Sequence, residues 1–317
     1  MEAVNSALNQ TLQKEHFEIF VIKNFVNEEI DLFLNKHLIR NFYDPSPYWN
    51  VSLSNVLANA TGDVICFLDD DDIFVEHKLE VLCKIFESDD LLFVKDGTIH
   101  FERDDKKPQY RRENSEGVLF YLSADGKLIG PPGVLTLYNN SSMSISRPVL
   151  ESYLRRLNDS LPKNGGCRHS LDNFLIFTTI EAGKGLVLSN KLTYYREHAQ
   201  QITANYDDTE TYYDKKILME KTFLESYEAM RFAFQHHIIL NRIDDMILQS
   251  RFQIILLSKT RGPFSTDLPR KGIEQYLKYH EKIFIFFMSL YFLKLAMPNT
   301  AANIFRLVLK NYSRKSS

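Results

Sequence analysis

Four consecutive carboxylates, Asp69 to Asp72, close the short apolar run Val64-Ile65-Cys66-Phe67-Leu68. Like charges at adjacent positions repel one another, so something must offset them. Water and a helix dipole do so cheaply, with one Asp serving as N-cap. A hard divalent cation such as Mg²⁺ or Mn²⁺ does so more strongly, because it prefers carboxylate oxygen. An acidic run by itself is most simply a solvated cap; its place directly after a buried strand favours the metal. Two later stretches carry further chemistry. Asp172, in Ser170-Leu171-Asp172-Asn173-Phe174, opens a helix as a general base or, equally well by residue type, as its cap. Tyr195-Arg196-Glu197-His198 offers a guanidinium suited to phosphate oxygen and an imidazole suited to metal or phosphate. The plainer alternatives are a surface ion pair for Arg196 and a hydrogen-bonded structural role for His198.

The elements that must position these groups are legible around them. Thr61-Gly62-Asp63 reads as a turn, and the apolar run after it as a strand buried on both faces. From Ile73 the period changes, and Phe74, Leu79, Leu82 and Phe86 share one face of a helix. The acids therefore stand where a strand leaves the sheet at its carboxyl end, the edge at which open α/β sheets bind ligands. Upstream, residues 2 to 13 form an amphipathic helix, Phe17 to Ile22 a strand and Glu28 to His37 a helix. A short strand over 39 to 43 and a helix over 50 to 59 complete that part. Downstream come a strand at 91 to 94, a charged solvated hairpin over 98 to 120, and a break at Gly130-Pro131-Pro132-Gly133. A strand over Ser141 to Arg147, a helix from Pro148 and a loop over 158 to 168 precede the helix at Ser170 to Ala182. That loop either shapes an acceptor pocket or is plain surface. Lys184 to Leu188 is a further strand.

From about residue 207 only helical periodicities remain, so the chain divides into 1–206 and a helical region over 207–317. With 317 residues, 44% hydrophobic and 25% charged, the chain can bury a sizeable core. A net charge of −3 argues against a general nucleic-acid binder. Cys66, Cys83 and Cys167 are odd in number and lack metal-ligand spacing, as expected of reduced thiols in a cytoplasmic protein, and no signal peptide opens the sequence. Ile283 to Leu293 is strongly apolar but short of a membrane span. A buried helix is expected there. The alternative is peripheral contact with the inner face of a membrane, helped by Arg306, Lys310, Arg314 and Lys315.

Taken together, Ala60-Thr61-Gly62-Asp63, the acid-ended strand Phe67 to Asp72 and Lys78-Leu79-Glu80 resemble the metal-binding segment of family 2 glycosyltransferases of the GT-A fold. Such enzymes often read A-x-G-D, a strand, FLDxDD, then a helix with K-L-E, a string far more specific than a lone D-x-D. The resemblance implies an α/β, GT-A-like (Rossmann-like) mixed and mostly parallel sheet flanked by helices, followed by the helical region. It implies a Mg²⁺ or Mn²⁺ ion on Asp69 and Asp71, with Asp72 and His198 as further ligands, bridging the diphosphate of a nucleotide sugar. Donor contacts fall on Asp69, Asp70, Asp71 and Arg196, and on Lys23 and Asn24, which stand where the family carries aspartates, one of them touching the base. Leu53 and Ser54 stand where many relatives have Arg-Asn near the diphosphate. Asp172 matches the second acid of the family's E-D pair while Leu171 replaces the first, and Tyr195, Arg196 and His198 match its Y-R-x-H segment.

The function implied is metal-assisted transfer of a sugar to the hydroxyl of a saccharide, lipid-linked or protein acceptor, with Asp172 as base opposite the leaving group and inversion at the anomeric carbon. Two other readings stay open. One is a transferase-like module that binds without turnover. The other is a haloacid-dehalogenase-like phosphatase, with Asp69 as nucleophile and Asp71 as acid. The resembled domain also begins with a central strand, whereas this sequence opens on the helix expected after it. A reading frame that starts about twenty residues late, the length of a strand and its turn, is therefore expected.

Overall fold

Helix and strand alternate from the first residues: α1 (Glu2–Leu8), β1 (Phe20–Lys23), α2 (Glu28–Lys36), β2 (Arg40–Tyr43) and α3 (Trp49–Leu57). The structure is a computed structural model that describes residues 1–88, 90–102, 116–161, 166–197, 210–258, 267–279 and 282–316. The first unit comprises residues 1–201 with 232–239, and the second comprises 202–231 with 240–317.

In the first unit the apolar run before the acids is β3 (Val64–Cys66). It is followed by β4 (Ile73–Phe74), α4 (Lys78–Ser88), β5 (Phe93–Glu102), β6 (Gly117–Leu122), β7 (Leu128–Ile129) and β8 (Met143–Ser146). Then come α5 (Arg147–Ser160), α6 (Leu171–Ala182) and the long β9 (Lys184–Glu197). Seven strands form one sheet in the order β3-β8-β5-β9-β6-β7, with β4 paired to β9; β1 and β2 form a separate parallel pair. The expected α/β architecture, a mixed sheet with flanking helices and a helical C-terminal region, is what the chain adopts. The balance of directions is different from the mostly parallel sheet expected. Within the large sheet only β5 and β9 run parallel, and β3, β4, β6, β7 and β8 pair antiparallel. The physical reason lies in the strands that follow the acid turn, since β4, β6 and β8 each return against a neighbour, and the parallel pair β1–β2 stands outside this sheet.

The helix expected from Ile73 begins instead at Lys78. Ile73 and Phe74 lie opposite Tyr194 and Thr193 of β9. Ile73 is only 2% exposed and belongs to a cluster with Val75, Phe101 and Tyr194, so tertiary packing overrides the helical period. α6 is buried on nearly every side from Asn173 to Ile180, as a helix without a polar face must be. Its Phe174 and Phe177 rings pack against Phe234 with centroids 5.7 and 5.8 Å apart. On the other side of the sheet, Leu82 of α4 meets Leu91, Val94, Leu188 and Leu192. Residues 103–115 of the expected charged hairpin lie outside the described residues.

The second unit is helical: α7 (Glu210–Met230), α8 (His237–Leu257) apart from its first residues, α9 (Asp267–Tyr279), α10 (Lys282–Ala296) and α11 (Pro298–Ser316). Phe252, Leu256, Phe287, Leu290, Tyr291 and Phe305 form its core. Two buried cations close the carboxyl end of α8. Arg306 donates to the Leu257 carbonyl at 2.9 Å and Lys294 donates to that of Ser258, which satisfies acceptors the helix leaves free. Burial lowers the Lys294 ammonium to about 8. Among the described residues no helix is long and apolar enough to cross a membrane.

Candidate functional site

The large sheet releases the chain just after β3: the Phe67 amide still donates to the Met143 carbonyl at 3.2 Å. The four acids then form a turn, closed by the Asp72 amide on the Asp69 carbonyl at 3.3 Å, before β4 rejoins the sheet. Asp69 and Asp70 remain open to solvent, Asp71 is half-buried, and Asp72 is 1% exposed. Surrounding protein, then repulsion from Asp72 and Asp71, raise the Asp69 carboxyl to about 7. A hydrogen bond from the Asn140 side chain opposes that shift.

Asp72 is built into the frame. Its Oδ1 accepts the Arg196 amide at 3.0 Å, and the Ser141 side chain bonds its carboxylate. Its Oδ2 is buried without a hydrogen-bond partner among the described residues. Burial raises this carboxyl as well. Arg196 is brought to the run by β9: Nε donates to the Asp71 carbonyl at 2.8 Å, and the guanidinium lies 4.9 Å from the Phe101 ring centre. Its outer nitrogen pairs with Glu2 of α1.

Asp172 sits half-buried in the first turn of α6, where its Oδ1 accepts the Asn173 amide at 2.8 Å. The N-cap is Ser170, at φ 68° and with no capping bond from its side chain; Asp172 takes over one of the amides left free at the helix start. Burial raises the Asp172 carboxyl to about 6, a shift opposed by its hydrogen bonds and by the charge of Lys95. Lys95, on β5, donates to Ser142 Oγ at 2.6 Å and to the Asp96 carbonyl at 3.2 Å.

The remaining sequence candidates separate from this group. Lys23 is 6% exposed, with its ammonium 2.5 Å from Asp31 and donating to the Phe25 carbonyl. It closes an ion pair with Asp31 of α2 from its inward position at the end of β1. Asn24 is exposed beside it. His198 lies outside the described residues. A cavity of about 310 Å³ between β1, β2 and α3 is lined by Ile22, Phe42, Asp44 and Asn55 among others, and shares no residue with the acid run.

Sequence reasoning missed the groups beneath the acids. Lys78, wholly buried, reaches Asp96 at 2.8 Å, the Ser141 carbonyl at 2.6 Å and Thr193 Oγ1 at 2.8 Å. Thr193 in turn donates to Asp96 Oδ1 at 2.7 Å. Ser141 and Ser142 read as the start of a strand, but with Asn139 and Asn140 they form a tight turn entered at Asn139 with φ 76°, and β8 begins only at Met143. Its signal was the Asn pair itself, since Asn tolerates the left-handed region better than most residues.

The donor set fits a hard divalent cation in part. Carboxylate oxygen is the right chemistry, the neighbours of Asp69 oppose its charge, and Asp72 Oδ2 is a buried oxygen without a hydrogen-bond partner among the described residues. Among the described residues, however, no three of His, Cys, Asp and Glu are grouped to hold a metal.

Residues 1–149 match the model of glycosyl transferase family 2. An uncharacterized glycosyltransferase of Rickettsia bellii (strain RML369-C) is 28% identical over 121 residues, which is 37% of this chain and 17% of that protein. The chain thus spans under a fifth of that relative's length. Crystal structures of S. aureus TarS 1-349 align over most of both chains. The complex with UDP-GlcNAc is 14% identical, covers 92% of this chain and 86% of its own, and has a TM-score of 0.50. A second structure is 13% identical, covers 100% and 87%, and has a TM-score of 0.50. At such identity the likeness is one of fold.

Proposed function

We propose that the protein, whose residues 1–149 match the model of glycosyl transferase family 2, moves a glycosyl group from a nucleoside-diphosphate sugar to an acceptor hydroxyl. One observation carries this reading: solvent-open carboxylates whose charge is unbalanced, at the carboxyl end of β3, with Arg196 and the Ser141 turn fastened to them. A Mg²⁺ or Mn²⁺ ion on Asp69 and Asp71, its shell completed by diphosphate oxygen and water, would supply the neutralising charge at the leaving group. Asp72 holds the acid turn to β9 through the Arg196 amide. Asp172 accepts the proton of the acceptor hydroxyl. Arg196 meets a phosphate oxygen once Glu2 gives way. A base opposite the leaving group makes the displacement direct and inverting.

UDP-GlcNAc, named with the TarS complex, is the first donor to try. The acceptor belongs to the saccharide, lipid-linked or protein classes. Peripheral contact with a membrane through the basic end of the sequence is part of the same proposal. The test is a melting curve of the full chain with UDP-GlcNAc, with and without Mn²⁺, followed by assay of sugar release. A metal-dependent rise in the melting temperature with release supports transfer chemistry. A donor set without any such rise would remove it. One observation favours a second reading, a module that binds without turnover: Lys23, which stands where the family carries an aspartate, is paired with Asp31. Binding without release would select it.

A further inference from the structure

The turn Asn139–Ser142 is the point at which the acid run meets the buried interior. Ser141 Oγ accepts the Asp69 amide at 2.9 Å and its side chain also bonds the Asp72 carboxylate. Asn140, one residue earlier, bonds the Asp69 carboxylate. Both are held from below. The Ser141 amide donates to Asn139 Oδ1 at 2.9 Å, and its carbonyl accepts Lys78 Nζ at 2.6 Å. Ser142 Oγ donates to the Asn139 carbonyl at 2.8 Å and is met by Lys95 at 2.6 Å. Ser141 and Ser142 are wholly buried, as is Lys78, whereas Asn140 is half-exposed.

The geometry points to Asn140 and Ser141 as positioning residues that fix where Asp69 stands, and through it the cation and diphosphate of the donor, while Ser141 also steadies the Asp72 clasp to β9. The inference rests on the donor-binding reading above. Its physical basis is general: a carboxylate ligand free to rotate loses affinity for its ion, and hydrogen-bonding partners of metal ligands commonly account for 10- to 100-fold in affinity. Neither residue touches the metal or the sugar in this scheme.

The test is calorimetric titration of UDP into the full chain, with and without Mn²⁺, for wild type, Asp71→Asn, Ser141→Ala and Asn140→Ala, each with a melting curve. Ser141→Ala and Asn140→Ala should weaken the Mn²⁺-dependent part of UDP binding by about 10-fold or more, with melting close to wild type. Asn140→Ala keeps the test valid where burial of Ser141 makes its variant unstable. Wild-type affinity in Asn140→Ala and in a folded Ser141→Ala, beside loss in Asp71→Asn, would overturn the positioning role alone. Unchanged affinity in Asp71→Asn would instead overturn the metal reading. Loss of affinity only in step with loss of melting would reduce both residues to structural ones.

Discussion

Two clusters in the first unit handle negative charge in opposite ways. Asp96 is buried against Lys78, with Thr193 and Ser141 completing the network at distances of 2.6 to 2.8 Å. Asp69 to Asp72 gather four carboxylates, and the one cation fastened to their turn among the bonds described, Arg196, donates to a carbonyl and pairs with Glu2. The same turn, Asn139–Ser142, touches both clusters. Charge that serves only the fold is closed by a partner inside the chain. In the proposed function, the charge left open at the solvent-accessible sheet edge is the part that meets the donor.

Breaking the closed cluster should have the largest effect on stability. Lys78→Met leaves Asp96 buried and unpaired, which costs about 3–5 kcal/mol, read as a fall in the urea midpoint. A loss below about 1 kcal/mol would mean that the two clusters do not differ. In the open cluster the same kind of change should act on binding instead. Asp71→Asn should abolish metal-dependent donor binding while the melting temperature holds or rises, because one of four repelling charges is gone. Asp172→Asn should leave donor binding intact and lower turnover roughly a hundredfold, by steady-state assay; turnover near wild type would leave Asp172 as helix-start hydrogen bonding and nothing else.

pH separates the clusters further. The folded-state values of Asp69 and Asp172, about 7 and about 6, lie above the ordinary 3.8. The folded chain therefore binds more protons than the unfolded one in that window, and stability should increase as pH falls from about 7 towards 4. Asp69→Asn should flatten the slope of melting temperature against pH; an unchanged slope would place the shift elsewhere. Turnover should follow the opposite course, rising with pH through about 6 as Asp172 ionises. The smallest effect belongs to the exposed pair. Glu2→Gln removes a surface partner of Arg196 worth about 0.5 kcal/mol, so donor affinity should rise about twofold by titration. A fall would assign Glu2 to the donor site.

Much of this was legible in the sequence because its signals are local. The apolar run and the acids after it fix a strand and the turn that ends it, and Asp172 falls in the first turn of its helix as the spacing requires. What escaped depends on long-range pairing. Phe74 shares a helical face with Leu79 and Leu82 in sequence, yet the place of Ile73 and Phe74 is set by Tyr194 and Thr193. Lys78 belongs to a family-like K-L-E string, and nothing near it announces that Asp96 and Thr193 will enclose it. The ion pair of Lys23 with Asp31, eight residues on, likewise joins two elements that no local pattern links.

The pairing of β5 with β9 also has a consequence in time. Phe93 aligns with Gly185, and the bonds that frame the acid turn join residues 115 and 124 positions apart, Lys78 to Thr193 and Asp72 to Arg196. Closing so long a loop before any contact rewards it makes such pairings slow to form. On the ribosome the acids are complete at residue 72, while their clasp emerges only with Thr193 and Arg196. At about 5–20 residues per second, the nascent chain spends several seconds with that charge unframed. The site is therefore among the last parts of the first unit to mature, and a pulse-labelled chain should gain donor binding only after β9 has left the exit tunnel.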